Sequence, residues 1–455
     1  MRTRISKCIA GVLASGLAAL VVAPTALAGT QVQLIPHRFV APPTTAQCVS
    51  SLGVACYNAA QFEHAYGTDQ LYQRGITGAG QTIVIVDSYG SPTIQADLAT
   101  YDQQNNLPAP PSFRVITPEG PSPAYNPNDA TAGGWALETS LDVEMAHTMA
   151  PGANILLVET PVAETTGVTG FPQIMAAEDY VINHHLGNVI TQSFGAAEQT
   201  FSNPGQIYSL RYAYEDAAQH GVTVLASSGD QGPTSAEADG DYFTSPVVNW
   251  PASDPLVTGV GGTQLHLDAN GNRVAPDNVW NDTALLQSPA AGGGGVSSVF
   301  SRPSYQRSVA NVVGNARGVP DVSASAAVNG GANVYISTVN TPEGITAPGW
   351  YVVGGTSEAS PLTAGIVSLA DQVAHHGLGQ INNALYQMGD GPSSGITDIL
   401  AGNNGVFFTN SNGVTYTLPG YTAGPGYDLA SGLGTPYAPR FVYELAADSG
   451  NQGGW

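Results

Sequence analysis

The sequence contains very little positive charge. Its 455 residues include only 12 lysines and arginines against 34 aspartates and glutamates, and Lys7 is the single lysine. A phosphate-binding P-loop needs a lysine after its glycines, and sequence-independent nucleic-acid binding needs a basic surface. The composition therefore excludes a P-loop nucleotide-binding protein and argues against a nucleic-acid partner.

Long apolar runs are also scarce, and the first one has the pattern of a secretory signal peptide. Basic residues stand within residues 1–7, residues 8–23 are apolar, and small residues at 26–28 fit a cleavage site. No later apolar run is long enough to cross a membrane. We therefore expect residues 1–28 to be removed and the mature protein to be secreted, without membrane contact. A membrane anchor is the alternative interpretation of this segment.

Cysteine is the next residue type in short supply. Cys8 lies in the predicted signal peptide, so that Cys48 and Cys56 remain in the mature chain. In an exported protein, two cysteines this close predict a small disulfide loop rather than two free thiols. This loop would fasten a short N-terminal segment, residues 29–49, and carry no chemistry.

The surplus of carboxylates bears on the working pH. In acid the carboxylates become neutral, and only a few arginines and histidines remain to repel one another. The composition is compatible with work in acid, although the ordinary solubility of an acidic secreted protein explains it equally well.

The pattern of apolar segments predicts an α/β fold. Apolar, β-branched runs alternate with helix-like stretches, which indicates parallel strands joined by helical crossovers. We predict one large doubly wound α/β domain over residues 50–445, with a flexible tail at 446–455 and loops at 119–134 and 282–298. The predicted strands are 82–87, 154–159, 189–193, 222–226, 257–262 and 334–337, and the predicted helices are 136–149, 172–186 and 205–219.

The strongest local signal for chemistry is Gly354-Gly355-Thr356-Ser357, followed by Pro361. The small residues permit a tight turn, and a helix is predicted to begin at Ser357 with Pro361 in its first turn. A serine in this position has backbone N–H groups and the positive end of a helix dipole beside it, as a tetrahedral oxyanion requires. An ordinary helix-capping serine is the alternative.

A nucleophilic serine needs a base, and no histidine has the expected sequence context. Asp87 ends the first predicted strand as the acid of a subtilisin-type triad would, but no His-Gly-Thr follows it. Glu138 and Asp142 lie four residues apart on a predicted helix and therefore share one face. Such a pair can share a proton and act as a general base in acid. Two solvated acids near a helix start are the simpler interpretation of this pair alone.

Two loops carry further carboxylates. Asp230 follows the predicted strand 222–226, where it is an ordinary turn residue or, when protonated, a hydrogen-bond donor to an oxyanion. Asp398 and Ile399, together with the glycine-rich segment 424–428, offer carboxylate and carbonyl oxygens, which are the ligands that calcium prefers.

Taken in order along the chain, these segments resemble the sedolisin family of serine-carboxyl peptidases, which have a subtilisin-like fold. The family pattern is Glu-x-x-x-Asp on a helix, then Ser-Gly-Asp after a strand, then Ser-Gly-Thr-Ser-x-x-x-Pro. The resemblance extends from about residue 50 to about residue 440. Its motifs here are 138–142, 228–230 and 354–361, with further similar segments at 251–255, 260–263, 317–323 and 432–434.

The resemblance implies a role for each candidate residue. Ser357 would be the nucleophile, Glu138 its base and Asp142 the hydrogen-bond partner of Glu138. Asp230, protonated, would donate to the oxyanion together with the Ser357 N–H. The implied function is a secreted, monomeric endopeptidase that cleaves peptides or proteins in acid. One structural calcium ion would be bound by Asp398, Ile399, Gly424, Gly426 and Asp428.

The sequence departs from the family pattern at three points. The short segment at 29–49 stands where the family has a long pro-region, Gly354 replaces a serine, and Glu358 adds an acid next to Ser357. We expect Glu358 to influence the pH range or the preference for substrate charge.

Two other functions stay open, and the missing pro-region favours the first of them. A catalytically silent secreted binding or scaffold protein would keep the fold without turnover. A glycosidase would use Glu138 and Asp142 as its carboxylate pair, but it would need them apart across a sugar cleft and would give Ser357 no role.

Overall fold

The computed structural model describes residues 32–165, 167–339, 341, 344–389 and 394–449. The predicted signal peptide at 1–28 and most of the predicted tail lie outside these ranges. Among the described residues, no helix combines the length and the apolar character that crossing a membrane requires.

Strands and helices alternate through most of the described chain. The strands are β1 (Gln33–Phe39), β2 (Cys56–Tyr57), β3 (Thr82–Ser88), β4 (Phe113–Ile116), β5 (Asn154–Thr160), β6 (Val189–Gln192), β7 (Ala196–Ala197), β8 (Thr223–Ser227), β9 (Asn249–Trp250), β10 (Thr258–Gln264), β11 (Asn278–Val279), β12 (Gly295–Ser301), β13 (Ala316–Val319), β14 (Val322–Ser325), β15 (Gly331–Ile336), β16 (Gly349–Gly354), β17 (Ile396–Thr397), β18 (Val406–Thr409), β19 (Thr415–Leu418) and β20 (Thr435–Pro436). The helices are α1 (Thr45–Leu52), α2 (Ala59–Tyr66), α3 (Thr68–Tyr72), α4 (Ile94–Asn105), α5 (Ala130–Met149), α6 (Phe171–Asn183), α7 (Pro204–Leu210), α8 (Tyr212–His220), α9 (Thr283–Leu286), α10 (Ala310–Val313), α11 (Thr356–Ala374), α12 (Asn382–Met388) and α13 (Ala438–Ser449).

A large, mostly parallel sheet organises the molecule. Its strand order is β11-β10-β8-β6-β3-β5-β4, with β14 also paired to β10, and β11 is the antiparallel member. The order runs outward in both directions from β3, which is the arrangement of a doubly wound sheet, and it confirms the predicted α/β fold. In such sheets, functional groups gather at the carboxyl ends of the strands.

Strand β3 shows why the predicted strands are apolar throughout. Ile83 and Ile85 pack into the core that contains α5 and α11, whereas Val84 and Val86 pack into the core that contains α6 and α8. Successive side chains of a strand point to opposite faces, so a strand covered on both faces is apolar at every position. By the same alternation, Asp87 points to the face covered by α5 and α11.

Helices α5 and α11 lie against each other in the centre of that face. Both are buried along most of their length, so the polar side chains that they carry are buried as well. At their contact, a Cβ added to Gly365 would lie 2.4 Å from the Cβ of Met149, so glycine permits the close approach. The two helices therefore hold Glu138 and Asp142 on one side and Ser357 on the other.

A second sheet has the order β1-β16-β15-β2. Its strand β15 contains residues 334–336 of the predicted strand 334–337. This strand therefore belongs to the second sheet, antiparallel to β16, and not to the large parallel sheet. Cys48 in α1 and Cys56 in β2 form a disulfide at its border, which confirms the predicted pairing.

The structure corrects both predicted loops. Residues 119–134 were expected to be irregular, but α5 begins at Ala130, because the Asp129 carboxylate caps the helix by accepting from the backbone of Thr131 and Ala132. Residues 282–298 contain the short helix α9 and the start of β12.

Two helix boundaries differ as well. The predicted helix 205–219 is divided into α7 and α8 at Arg211. Helix α11 begins at Thr356, so Pro361 lies inside the helix rather than in its first turn. Pro361 has no N–H, so the Ser357 carbonyl lacks its usual hydrogen bond within the helix. The Ser193 hydroxyl lies 3.5 Å from this carbonyl oxygen.

Candidate active site

Helix α5 places Glu138 and Asp142 on one buried face. Both residues have no exposed surface, so they are not the solvated pair that composition alone allows. Burial raises the pKa of Glu138 well above its ordinary value, the charge of Asp142 raises it further, and the Ser357 hydroxyl lowers it. Burial, with the charge of Asp87, likewise raises the pKa of Asp142. The cluster therefore holds protons that exposed carboxyls would have lost.

Ser357 lies in the first turn of α11, with 4% of its surface exposed. Its hydroxyl lowers the pKa of the neighbouring Glu138 carboxyl. Neither oxygen of Glu138 has a hydrogen bond of ordinary geometry within the described residues, so the contact with Ser357 is not a well-formed hydrogen bond. Catalytic pairs are often this loose before substrate binds.

Asp230 is fixed to the start of the same helix. Its Oδ1 accepts hydrogen bonds from the Thr356 backbone N–H at 2.7 Å and the Thr356 hydroxyl at 2.6 Å. Its Oδ2 is buried and has no hydrogen-bond partner among the described residues. Burial raises the pKa of Asp230 to about 7, against the lowering effect of Thr356. A protonated Oδ2 is therefore available as a donor in acid.

Gly355 permits this arrangement. Its φ of +132° is a conformation that side chains rarely adopt, and a Cβ there would lie 2.5 Å from Asp230 Oδ2. The glycine before Thr356 is thus required both for the turn and for the space that Asp230 occupies.

Ser193 is a site residue that the sequence analysis missed. It follows β6, and its hydroxyl donates to Asp142 Oδ1 at 2.9 Å while lying 3.5 Å from the Ser357 carbonyl oxygen. Pro361 has no N–H, so that carbonyl lacks its usual helical donor. The sequence did indicate that Ser193 lies at the carboxyl end of a predicted strand, which is where functional residues of such a sheet are found.

Asp87 also belongs to the cluster, although no partner had been found for it in the sequence. It is fully buried, and burial raises its pKa to about 7. Its charge acts on both Glu138 and Asp142. None of the ion pairs in the described part of the chain involves any of these acids, so protons, rather than cations, must neutralise them.

Glu358, the acid beside the serine, is fully buried. Burial raises its pKa well above the ordinary value, the Ser325 hydroxyl and the Ala332 backbone lower it, and the charge of Asp230 raises it. Glu144, two residues beyond Asp142, accepts from the Tyr335 N–H at 3.1 Å and faces elsewhere.

The five candidate calcium ligands lie in one region near β17 and β20. Asp398 Oδ2 accepts from the Gly426 N–H at 2.9 Å, and Asp428 Oδ2 accepts from the Gly424 N–H at 3.0 Å. Both carboxylates are thus held on the glycine-rich segment 424–428, and Ile399 is buried beside it. No group of three acidic, histidine or cysteine side chains in the described residues could hold a metal, so any cation here would depend on backbone carbonyls.

Comparison with known proteins identifies the family. The profile described as the subtilase family matches residues 124–384, which is more than half of the chain and includes α5, Asp230 and Ser357. The chain belongs to the subtilase family. Within this family it belongs with the sedolisins.

Individual relatives agree with this assignment. Kumamolisin from Bacillus sp. (strain MN-32) is 34% identical over 388 residues, which cover 83% of this chain and 62% of that protein. Sedolisin from Pseudomonas sp. (strain 101) is 28% identical over 364 residues, covering 79% and 57%. The chain thus spans about three fifths of the length of these relatives.

A solved structure supports the same conclusion about the fold. Pseudomonas sedolisin, a serine-carboxyl proteinase complexed with two molecules of pseudo-iodotyrostatin, aligns with a TM-score of 0.70 at 27% identity. The alignment covers 88% of this chain and all of that one. The predicted subtilisin-like architecture is therefore confirmed.

Proposed function

We propose that this subtilase-family chain is a serine-carboxyl endopeptidase that hydrolyses peptide bonds in acid. The observation that carries the proposal is the position of Ser357 in the first turn of a buried helix, near both the Glu138 carboxyl and the Asp230 carboxyl. One acid can accept a proton from the serine, and the other can donate one to the developing oxyanion.

In the first half of the reaction, the Ser357 Oγ attacks the carbonyl carbon of the scissile peptide, and its proton passes to Glu138 in the ionised form of that carboxyl. The carbonyl oxygen becomes an oxyanion, which accepts hydrogen bonds from protonated Asp230 and from the Ser357 N–H. Glu138 then gives its proton to the leaving amine, and the C–N bond breaks. Water hydrolyses the acyl-enzyme by the same steps, with Glu138 again as the base.

Asp142 and Ser193 hold the base in position. The hydrogen bond between Asp142 and Glu138 stays a prediction. Asp142 also accepts from Ser193, and its charge raises the pKa of Glu138. A proton on Asp142 stabilises the ionised form of Glu138, whereas a charge on Asp142 opposes it.

Covalent labelling tests this proposal directly. A fluorophosphonate should modify Ser357, identified by mass spectrometry of the digested protein, at the acidic pH where the oxyanion donors are protonated. Ser357→Ala should abolish labelling. Ser368 is a buried serine on the same helix, whose hydroxyl donates to the Gly365 carbonyl, and Ser368→Ala should preserve labelling. Folded protein that is not labelled at any pH would instead indicate the silent binding protein.

We also propose that one calcium ion binds near the C-terminal part of the chain. Asp398 and Asp428, with the carbonyls of Ile399, Gly424 and Gly426, form a donor set of hard oxygens that suits calcium. When bound, the ion would stabilise the segment 424–428 and would take no part in the chemistry.

Removal of calcium should therefore lower stability before it lowers activity. We expect a chelator to reduce the melting temperature of the wild type and to have little effect on Asp398→Asn, which removes one ligand charge. Equal melting temperatures of the wild type with and without chelator would contradict the site. Secretion, action on peptides or proteins, and a monomeric state complete the proposal.

A further inference from the structure

A cavity opens beside the candidate active site at the carboxyl ends of β3 and β5. It has a volume of about 340 Å³, within the range of ligand pockets. The residues that line it include Tyr89, Gly90, Ser122, Tyr125 and Glu159. The segment 117–125 forms one side of it, and α5 begins on another.

Glu159 brings a carboxylate into this cavity. It pairs in register with Asp87 across the parallel strands β3 and β5, so the two side chains point to the same face of the sheet. Its Oε2 accepts from the Ser122 hydroxyl at 3.1 Å. A Cβ added to Gly90 would lie 1.9 Å from Glu159 Oε1, so only glycine leaves room for this carboxylate.

The cavity is electrostatically coupled to the candidate catalytic cluster. The charge of Glu159 raises the pKa of Asp87, and the charge of Asp87 raises the pKa values of Glu138 and Asp142. Ala132 lines the cavity and lies on α5 with Glu138, about 9 Å from it along the helix axis. The cavity therefore lies beside the helix that carries the candidate base, on the side where α5 begins.

The wall residues are uncharged or acidic. No lysine, arginine or histidine lines the cavity, whereas Glu159 and Asp129 both do. Two tyrosines add flat aromatic faces, and the Tyr125 hydroxyl is directed to the Val339 carbonyl at 3.0 Å, which holds that ring in place. This combination of carboxylate and aromatic walls suits an organic cation.

We propose that this cavity is a substrate subsite that binds a cationic nitrogen group of the peptide, either a lysine or arginine side chain or a free N-terminal amine. The proposal rests on the proposed peptidase function, because it makes Glu159 a specificity-determining residue of the same cleft. An ammonium or guanidinium group would donate hydrogen bonds to the Glu159 carboxylate, which retains its bond from Ser122.

Binding to an inactive variant tests the subsite without turnover. In the Ser357→Ala background, fluorescence anisotropy would measure Kd for peptides that differ only by arginine or citrulline at each position, and by a free or acetylated N-terminus. Since burial raises the pKa of Glu159, the measurement is made at the highest pH at which wild-type protein still cleaves, or at neutral pH if it cleaves nothing. Glu159→Gln keeps an oxygen that can accept from Ser122 and removes the charge. Glu119→Gln is the matched control, because Glu119 belongs to the segment 117–125 but does not line the cavity.

We expect one cationic group to tighten binding about tenfold over its neutral counterpart. Glu159→Gln should remove that difference, and Glu119→Gln should keep it. An effect of arginine at one fixed position assigns the side chain, and an effect of the free N-terminus assigns the amine. Equal binding of cationic and neutral peptides, or equal loss in both glutamine variants, would overturn the subsite. A wild type that cleaves nothing, with the Glu159 effect intact, would overturn the peptidase proposal alone.

Discussion

Two buried carboxylate clusters of this protein are built in opposite ways. Around Asp321, the carboxylate is paired with the fully buried Arg317, with Nη1–Oδ1 at 2.8 Å and Nη2–Oδ2 at 2.5 Å. It also accepts from the Gly259 N–H and the Tyr386 hydroxyl. Around Ser357, the equally buried Glu138 has no cation and no hydrogen bond of ordinary length among the described residues.

The difference shows how one fold uses the same functional group for two purposes. A buried charge is tolerated when an opposite charge and hydrogen bonds replace water, as they do at Asp321. Without them, a buried acid keeps its proton to a higher pH, as Glu138 and Asp230 do. The first arrangement suits a structural support, and the second suits groups that must exchange protons.

The largest effect should come from removing the base. We expect Glu138→Gln to lower kcat by about 10²- to 10⁴-fold, because an amide cannot accept the serine proton. Peptide hydrolysis measured over a range of acidic pH would show it. Glu144→Gln changes the same residue type on the same helix and should keep most of the activity. Similar losses in the two variants would mean that helix damage, and not the base, explains the effect.

The structural cluster should respond in stability instead. Arg317→Met leaves Asp321 buried without its cation, so we expect the free energy of unfolding to fall by about 3–5 kcal/mol. Denaturant titration would measure this fall, with the exposed Arg307→Met as a control that changes little. The pH dependence of any remaining activity should keep its wild-type shape. An Arg317→Met protein as stable as wild type would remove the contrast between the two clusters.

A smaller effect concerns the pH dependence of stability. The pKa of Asp230 is 3.8 when exposed and about 7 in the folded protein, so the folded state binds the proton more tightly. The stability that this proton contributes is complete below pH 3.8 and is lost as the pH rises to about 7. We therefore expect wild-type protein to lose stability over this interval, with chelator present throughout.

Asp230→Asn should lose less stability over the same interval, because asparagine cannot ionise. The exposed Asp239→Asn should follow the wild type. Melting temperatures at several pH values would show the difference. Wild-type stability that rises between these pH values would contradict the account of the buried acids.

Much of the fold could be predicted because the central strands are covered on both faces. Segments such as β3 and β5 have four consecutive apolar residues, 83–86 and 155–158, and the helices between them imply parallel pairing. Strand β15 was assigned to the wrong sheet, because its partner β16 is chosen by tertiary packing that no local pattern records. The start of α5 depended on a single capping residue, Asp129, inside a segment rich in turn formers.

The site could be predicted only in part. The four-residue spacing of Glu138 and Asp142 and the small residues before Ser357 are local patterns. The contribution of Ser193 and the coupling of Asp87 depend on strand ends that are distant in sequence and adjacent in the sheet. The cavity beside Glu159 was hidden for the same reason, because three separate segments enclose it.

The most direct test of the central claim is a pH–rate profile of wild type and Ser357→Ala on a mixed peptide library. The account predicts that wild-type cleavage is greatest in acid and declines as the pH rises through about 7, where Asp230 loses its proton, and that Ser357→Ala does not cleave. Cleavage that increases into the alkaline range, or that persists in Ser357→Ala, would contradict it.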